Sequence, residues 1–344
     1  MNRMVCIPVR EMSGVVEARQ TAMSICGAAG FSAVLSDKVA VIATELATNL
    51  VRHAGRGDLL IRSYTEGEVS GIECLALDHG PGIRDINGSL QDEYSADAGT
   101  GNGLKTVRIL SSLFDLYSPP GKGTAILARI ENKSPEPVSD PPHPPYPSRP
   151  EVGVVCLPLV PDEPCGDGWD VICLQDRTVI LVVDGLGHGP EASKVPVEAI
   201  RVFRENPAGE PEKILRNLHT ALRSTRGGVA AVAAIDEGRG RVTYAGAGNI
   251  SGRIITGPVT HKMVSLTGTV GGQVSQFSES SYTWEAGALL IMYSDGLSTQ
   301  WDLEDYPGLM RKHPALIAGV LYRDHTRGTD DVTVLVVKMT GVIP

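Results

Sequence analysis

The stretch TVILVVDGLGHGP, residues 178–190, sets the reading of everything around it. Five apolar residues at 179–183 form a run short enough to be a buried strand. Asp184 follows at once, and glycines stand at 185, 187 and 189. A carboxylate where a buried strand gives way to a turn is poorly solvated unless a positive group lies against it. The glycines let the backbone come close to such a group, so the carbonyl of Gly185 can join Asp184 as a ligand. The same residues also read as a strand and tight turn in which Asp184 caps a helix beginning near Pro190. Taken alone, the stretch leaves both readings open.

Three further acidic sites shift the balance. Asp167 lies in PCGDGW, in a loop ahead of a strand at 170–174. Asp295 follows the buried run ALLIMY at 288–293, and the pair Asp330–Asp331 precedes a last strand at 332–337. Strands at 152–157, 228–235, 242–247 and 252–255, with helices at 191–204 and 211–224, complete this half. Each acid therefore sits beside the end of a β-like run. Any one of them could be an ordinary acidic turn, but that explanation is poor for all four together. Carboxylates brought together without counter-ions repel, so a converging set calls for cations. Oxygen ligands without His or Cys point to Mg2+ or Mn2+. Two such ions acidify a bridging water and screen a phosphate, the ingredients of direct in-line hydrolysis.

Length and composition set the frame. At 344 residues the chain suits two domains, and 42% hydrophobic with 21% charged residues is globular composition. The segment 132–150 carries eight prolines from Pro135 to Pro150, which suit neither a helix nor a sheet ladder. It reads as a spacer between domains at 1–131 and 151–344. A net charge of -9 disfavours nucleic acid or an anionic membrane surface as the main partner. No apolar run is long enough to cross a bilayer, and the first residues show no secretory pattern. The six cysteines have neither CxxC nor zinc spacing, so a reduced, cytoplasmic location is expected.

In the first half, strands are expected at 5–9, 58–64, 69–77 and 123–130. Helices are expected at 13–29, from a Ser32 or Ser36 cap to about residue 53, and from the GTGNGL stretch to about residue 114. The middle helix has apolar residues at 39, 42, 46 and 50, with Glu45 and Asn49 one turn apart beside that stripe. The 69–77 strand ends in Asp78, followed by Gly80 and Gly82. Gly99, Gly101 and Gly103, with Leu104 and Lys105, lead into a helix, and Thr124 closes a last glycine turn. A glycine loop feeding a helix N-terminus is a ready anion site. Asp78 can accept from an exocyclic amine such as adenine's, Asn49 can offer oxygen to Mg2+ bridged to phosphates, and Glu45 is placed to take a proton from a hydroxyl.

That ordered set resembles the GHKL ATPase family, in particular bacterial serine/threonine kinases that act as anti-sigma factors or stressosome switches. Glu45 and Asn49 match its N-box, Asp78, Gly80 and Gly82 its first glycine box, 99–104 its second, and 121–124 its last glycine motif. His79 stands where the family often has Asn. In the second half, GDGWD, VVDGLGHGPEAS, YAGAGN, YSDGL and TDDVTVLVV are similar to the SpoIIE-type branch of PP2C-like metal-dependent phosphatases. The resemblances imply a two-domain α+β protein, with a GHKL (Bergerat) α/β sandwich followed by a PP2C-like αββα sandwich. They imply ATP and Mg2+ in the first domain, with Glu45 as kinase base, and two Mn2+ or Mg2+ in the second. The metal ligands implied are Asp167, Asp184, Gly185 by its carbonyl, Asp295 and, of the last pair, Asp330 ahead of Asp331. His188 reads as a turn residue. A STAS-domain protein is the implied substrate, and partner-switching control of a sigma factor or a stressosome the implied output. Two arrangements stay open: opposing kinase and phosphatase activities, or a phosphatase regulated by a domain that only senses nucleotide or partner. A homodimer is compatible with either.

Overall fold

The computed structural model describes residues 3–67, 69–86, 88, 102–132, 150–274 and 276–339. Most of the proline-rich spacer and the glycines at 99 and 101 lie outside the described residues. The chain forms two compact units, one of Met1–Pro141 with Arg311–Arg323, the other of Pro142–Met310 with Asp324–Pro344.

In the first unit, β1 (Val5–Val9) leads into α1 (Met12–Ala28) and α2 (Ala33–Asn49). Ser32 caps α2, its Oγ accepting from the Leu35 amide at 3.4 Å, so of the two candidate caps Ser32 is the one used. The helix widens into a π turn at Leu50–Ala54, directly after Asn49. Strands β2 (Gly57–Glu66) and β3 (Val69–Asp78) follow, then α3 (Asn102–Leu110), β4 (Leu113–Tyr117) and β5 (Ala125–Asn132). The strands form an antiparallel sheet in the order β1-β2-β3-β5-β4. The third helix was expected to run to about residue 114; it stops at Leu110, because Phe114 belongs to a strand paired with β5.

One sheet face, with Leu59, Ile61, Ile72, Cys74 and Ile126, packs on the helices through Val39, Ile42, Leu46 and Leu50. This is the apolar stripe of α2 serving as core. The opposite face is buried too, through Leu60, Leu75, Leu77 and Leu127 and a charged trio of Arg62, Glu73 and Arg129. Much of its cover comes from the segment Arg311–Arg323. Gly319 lies so close that an added Cβ would sit 2.6 Å from Leu75 Cδ2, and Asp115 accepts from Lys312 Nζ and the His313 amide at 2.9 Å each.

The second unit is built on two five-stranded sheets. One takes β7 (Asp167–Cys173), β8 (Thr178–Gly185), β9 (Gly228–Asp236), β10 (Arg241–Ala247) and β13 (Ser280–Thr283), in the order β13-β10-β9-β8-β7. The other takes β6 (Pro150–Leu157), β11 (Ser251–Thr256), β12 (Val259–Met263), β14 (Leu289–Tyr293) and β15 (Val332–Met339), in the order β12-β11-β14-β15-β6. Ile180, Val182, Ala231, Ala233 and Tyr244 of the first share a core with Val154, Ile254, Leu290, Met292 and Leu335 of the second. On the first sheet's other face lie α4 (Lys194–Glu205) and α5 (Pro211–Ala221), through Val195, Ala199, Phe203, Leu215 and Leu218. The last helix, α6 (Pro314–His325), belongs to the first unit through Arg323. The α4 helix begins ten residues beyond Asp184, so that carboxylate is not its cap. Asp167, expected in a loop, is instead the first residue of β7, because it pairs in register with Asp184 on β8.

Candidate functional site

The first unit latches two turns around Asp78. Its Oδ1 accepts from the Gly80 amide at 2.7 Å and the Thr124 amide at 3.1 Å, while its own amide donates to the Thr124 carbonyl at 2.9 Å. The turns are crosslinked again, Gly121 N to Pro81 O at 2.8 Å and Gly123 N to Gly80 O at 3.0 Å. The Thr124 and Ser118 hydroxyls lie 2.8 Å apart, and Ser118 Oγ accepts from the Ile83 amide at 2.8 Å. Gly82 has φ +75°, and a Cβ there would strike the Pro119 carbonyl, so the latch requires glycine. Burial pushes the Asp78 carboxyl up, against the two amides and the Arg323 guanidinium. Glu45 and Asn49 lie half-buried on α2. Gly103 opens α3 against them, since a Cβ there would lie 2.5 Å from Glu45 Oε2 and 3.7 Å from Asn49 Oδ1. Leu104 is in the core and Lys105 is half-buried on the next turn. Glu45, Asn49, Gly103 and Leu104 thus meet where α2 and α3 touch; Asp78, Gly80, Gly82 and Thr124 form the second cluster.

In the second unit four turns carry the acids. Asp167 and Asp184 are cross-strand partners. Ser294, just before Asp295, donates its hydroxyl to Asp167 Oδ2 at 2.6 Å and accepts from the Thr333 amide at 2.9 Å, tying the β14 and β15 ends to β7. Asn249 Nδ2 donates to Asp295 Oδ2 at 2.8 Å. A Cβ on Gly296 would collide with the Asp331 carbonyl, so this glycine brings the Asp295 turn against the 330–331 turn. The last acidic pair divides its work. Asp331 is buried, its oxygens accepting from the Leu159 amide at 2.6 Å and the Gly166 amide at 2.5 Å. Asp330 is half-buried and accepts from the Asp331 amide at 2.9 Å.

The electrostatics are those of an unneutralised set. Burial and then Asp167, Asp295, Asp330 and Asp331 push Asp184 up to about 9. Asp167 is raised to about 7, by burial and by Asp331 and Asp330 against the Ser294 hydroxyl. Asp295 is raised by burial and Asp330. The oxygens Asp167 Oδ1 and Asp295 Oδ1 are buried without a hydrogen-bond partner. Orphaned anionic oxygens of this kind fit a divalent cation. Among the described residues no three or more His, Cys, Asp or Glu side chains are gathered closely enough to hold a metal ion by themselves. Ser294 and Asn249 were not singled out as site residues from sequence, although Asn249 ends the YAGAGN motif.

The sheet that carries the Asp78 latch and the two-sheet sandwich that carries the four acidic turns are folds of the kinase-like ATPase and PP2C-like phosphatase classes. The chain belongs to the histidine kinase-like ATPase domain family, which it matches over residues 10–130, and residues 175–340 match the Stage II sporulation protein E (SpoIIE) family. It is 34% identical over 128 residues to the serine/threonine-protein kinase RsbT of Bacillus subtilis (strain 168), spanning 37% of this chain and 96% of RsbT. It is 28% identical over 137 residues to the phosphoserine phosphatase RsbX of the same strain, spanning 39% of this chain and 68% of RsbX. The crystal structure of RsbX in complex with magnesium shares the fold over 56% of this chain and 96% of that one, with 21% identity and a TM-score of 0.50. The chain thus joins an RsbT-like domain to a SpoIIE-like one.

Proposed function

We propose that the second unit removes phosphate from phosphoserine or phosphothreonine on a STAS-domain protein, and that the first unit binds ATP with Mg2+ and phosphorylates the same class of protein. Asp167, Asp184, Asp295, Asp330 and the Gly185 carbonyl would hold two Mn2+ or Mg2+ ions. Such ions supply a water of lowered pKa and screen the phosphate's charge. Ser294 and Asn249 orient Asp167 and Asp295, and the amide-bound Asp331 fixes the turn that carries Asp330. In the first unit Asp78 accepts from the adenine amine, Asn49 offers its oxygen to Mg2+, the start of α3 faces the phosphates, and Glu45 takes the proton of the attacking hydroxyl. The observation that carries the phosphatase reading is the pair of buried oxygens on Asp167 and Asp295 without a hydrogen-bond partner, with Asp184 the cross-strand neighbour of Asp167. The names of the relatives, a serine/threonine kinase and a phosphoserine phosphatase, support the two directions of phosphoryl chemistry. Partner switching on a sigma factor or a stressosome, in the cytoplasm, is the setting that suits both; among the described residues no helix is long and apolar enough to cross a membrane.

A second reading keeps the first unit as a nucleotide sensor without transfer. It is favoured by Arg323, from the chain's far end, holding the Asp78 carbonyl at 2.9 Å. Incubation of the full chain with γ-labelled ATP and candidate STAS-domain proteins separates the two. Label on the protein with wild type but not with Glu45→Ala supports transfer. ATP binding without label supports sensing, and absence of binding removes both.

A further inference from the structure

Within the second unit, the turn that carries Asp295 is fastened to the chain just ahead of Asp330. The Arg327 amide donates to the Gly296 carbonyl at 2.8 Å, the Ser298 amide donates to the His325 carbonyl at 2.9 Å, and Leu297 and Thr326 form a β-bridge between them. Gly328, at φ +63°, then turns the chain toward Asp330. Arg327 therefore stands at the junction of two acid-bearing turns. Its side chain is exposed, and among the described residues no hydrogen bond or ion pair holds it. Its charge reaches the acids nonetheless. Burial and Asp330 push the Asp295 carboxyl up, and the Arg327 guanidinium draws it back down.

A cation in this place opposes metal binding, because it repels any divalent ion that Asp295 and Asp330 hold. An anion arriving from solution turns that repulsion into attraction. The charge of the proposed centre indicates which class of anion. Four carboxylates and two divalent ions cancel, so a phosphate monoester, of charge about -2, meets no excess positive charge from them. Arginine supplies that excess, with a planar fork of N–H donors that matches two phosphate oxygens. Arg226 provides the contrast. It too is exposed in the second unit, beside Gly227, whose carbonyl accepts from the Leu186 amide at 3.1 Å. Its charge acts on the exposed Glu191, and its Nη1 lies 3.7 Å from the place a Cβ on Gly187 would take.

We propose that Arg327 binds the phosphoryl oxygens of the phosphoserine or phosphothreonine substrate, opposing the metals before substrate enters and acting with them once the phosphate is in place. The inference rests on the phosphatase reading above and adds to it a substrate-binding residue that is no metal ligand. Its two consequences have opposite signs. Without the guanidinium the metals bind more tightly and the phosphate more weakly. A residue that merely braced the Asp295 turn would weaken both when removed.

The test uses the full chain, titrated by calorimetry with Mn2+ alone and, at saturating Mg2+, with inorganic phosphate. Arg327→Ala keeps the backbone amide that meets Gly296 and removes only an exposed side chain. It binds Mn2+ about 3-fold more tightly than wild type, since one repelling charge is gone. It binds phosphate about 10-fold more weakly, as expected for lost charge-assisted bonds, and KM for p-nitrophenyl phosphate rises by a similar factor. Arg327→Lys, a cation without the fork, returns the Mn2+ affinity to that of wild type and recovers part of the phosphate affinity. Arg226→Ala leaves the phosphate affinity as in wild type. An Arg327→Ala variant that binds phosphate like wild type, that loses Mn2+ and phosphate affinity together, or that Arg226→Ala matches, overturns the inference. A wild type that binds no Mn2+ overturns the metal centre itself, and the phosphatase reading with it.

Discussion

Glu73, in the middle of β3, and Asp184, next to last in β8, are both carboxylates that burial pushes up. They finish on opposite sides of the ordinary range. Glu73 receives Arg62 Nε on one oxygen and Arg129 Nε on the other, each at 2.7 Å, and the two guanidiniums hold it at about 2. Asp184 faces Asp167, Asp295, Asp330 and Asp331 and is driven to about 9. Where the fold needs a permanent charge it supplies the counter-charges itself. Where it leaves acids facing acids, the repulsion is relieved by a proton or by a cation from solution. The first arrangement keeps its carboxylate ionised; the second favours the protonated acid until a cation is supplied.

The comparison is broken most readily by removing one charge from each site. Glu73→Ala leaves two buried guanidiniums facing each other and should destabilise the first unit by about 3–5 kcal/mol, read from its urea midpoint. Asp184→Asn should do the reverse in metal-free buffer, raising the midpoint of the second unit because it relieves repulsion. A fall of similar size in both variants would erase the distinction. The next effect is smaller: Mn2+ at 100 times its dissociation constant should stabilise the wild-type second unit by about 2.7 kcal/mol, with EDTA reversing it. Asp184→Asn should lose most of that gain, and Glu73→Ala should keep it.

The smallest effect is a pH dependence. His313 is lowered to about 4, by burial and then by Arg129, so it stays neutral in the folded protein. The unfolded chain, with a value of 6.5, binds the proton first. His313 therefore contributes stability above pH 6.5 that is lost as pH falls through about 4. Over that window the urea midpoint of wild type should fall relative to His313→Gln; parallel curves would show that the imidazole carries no linked proton.

Much of this was legible in the sequence where local pattern and tertiary role agree. The five-residue run before Asp184 became β8, and the stripe at 39, 42, 46 and 50 became the core face of α2. Asp167 was misplaced into a loop because glycines flank it, whereas its pairing with Asp184 is decided across the sheet. The strands β12 and β13 escaped notice because they are short, polar and mostly exposed, with no alternation to read. Helix α6 escaped for the opposite reason. From Pro314 to Leu321 every residue is buried, so no polar face marks a helical period. The division of labour between Asp330 and Asp331 was beyond any local signal, since the amides that occupy Asp331 belong to Leu159 and Gly166.

One assay reads the four acids of the second unit directly: release of inorganic phosphate from a phosphorylated STAS-domain protein by the full chain, with and without Mn2+. We expect release that requires the metal and falls by about 1,000-fold in Asp184→Asn, several kcal/mol of lost transition-state stabilisation. Release that proceeds equally in EDTA, or that survives Asp184→Asn undiminished, would contradict it.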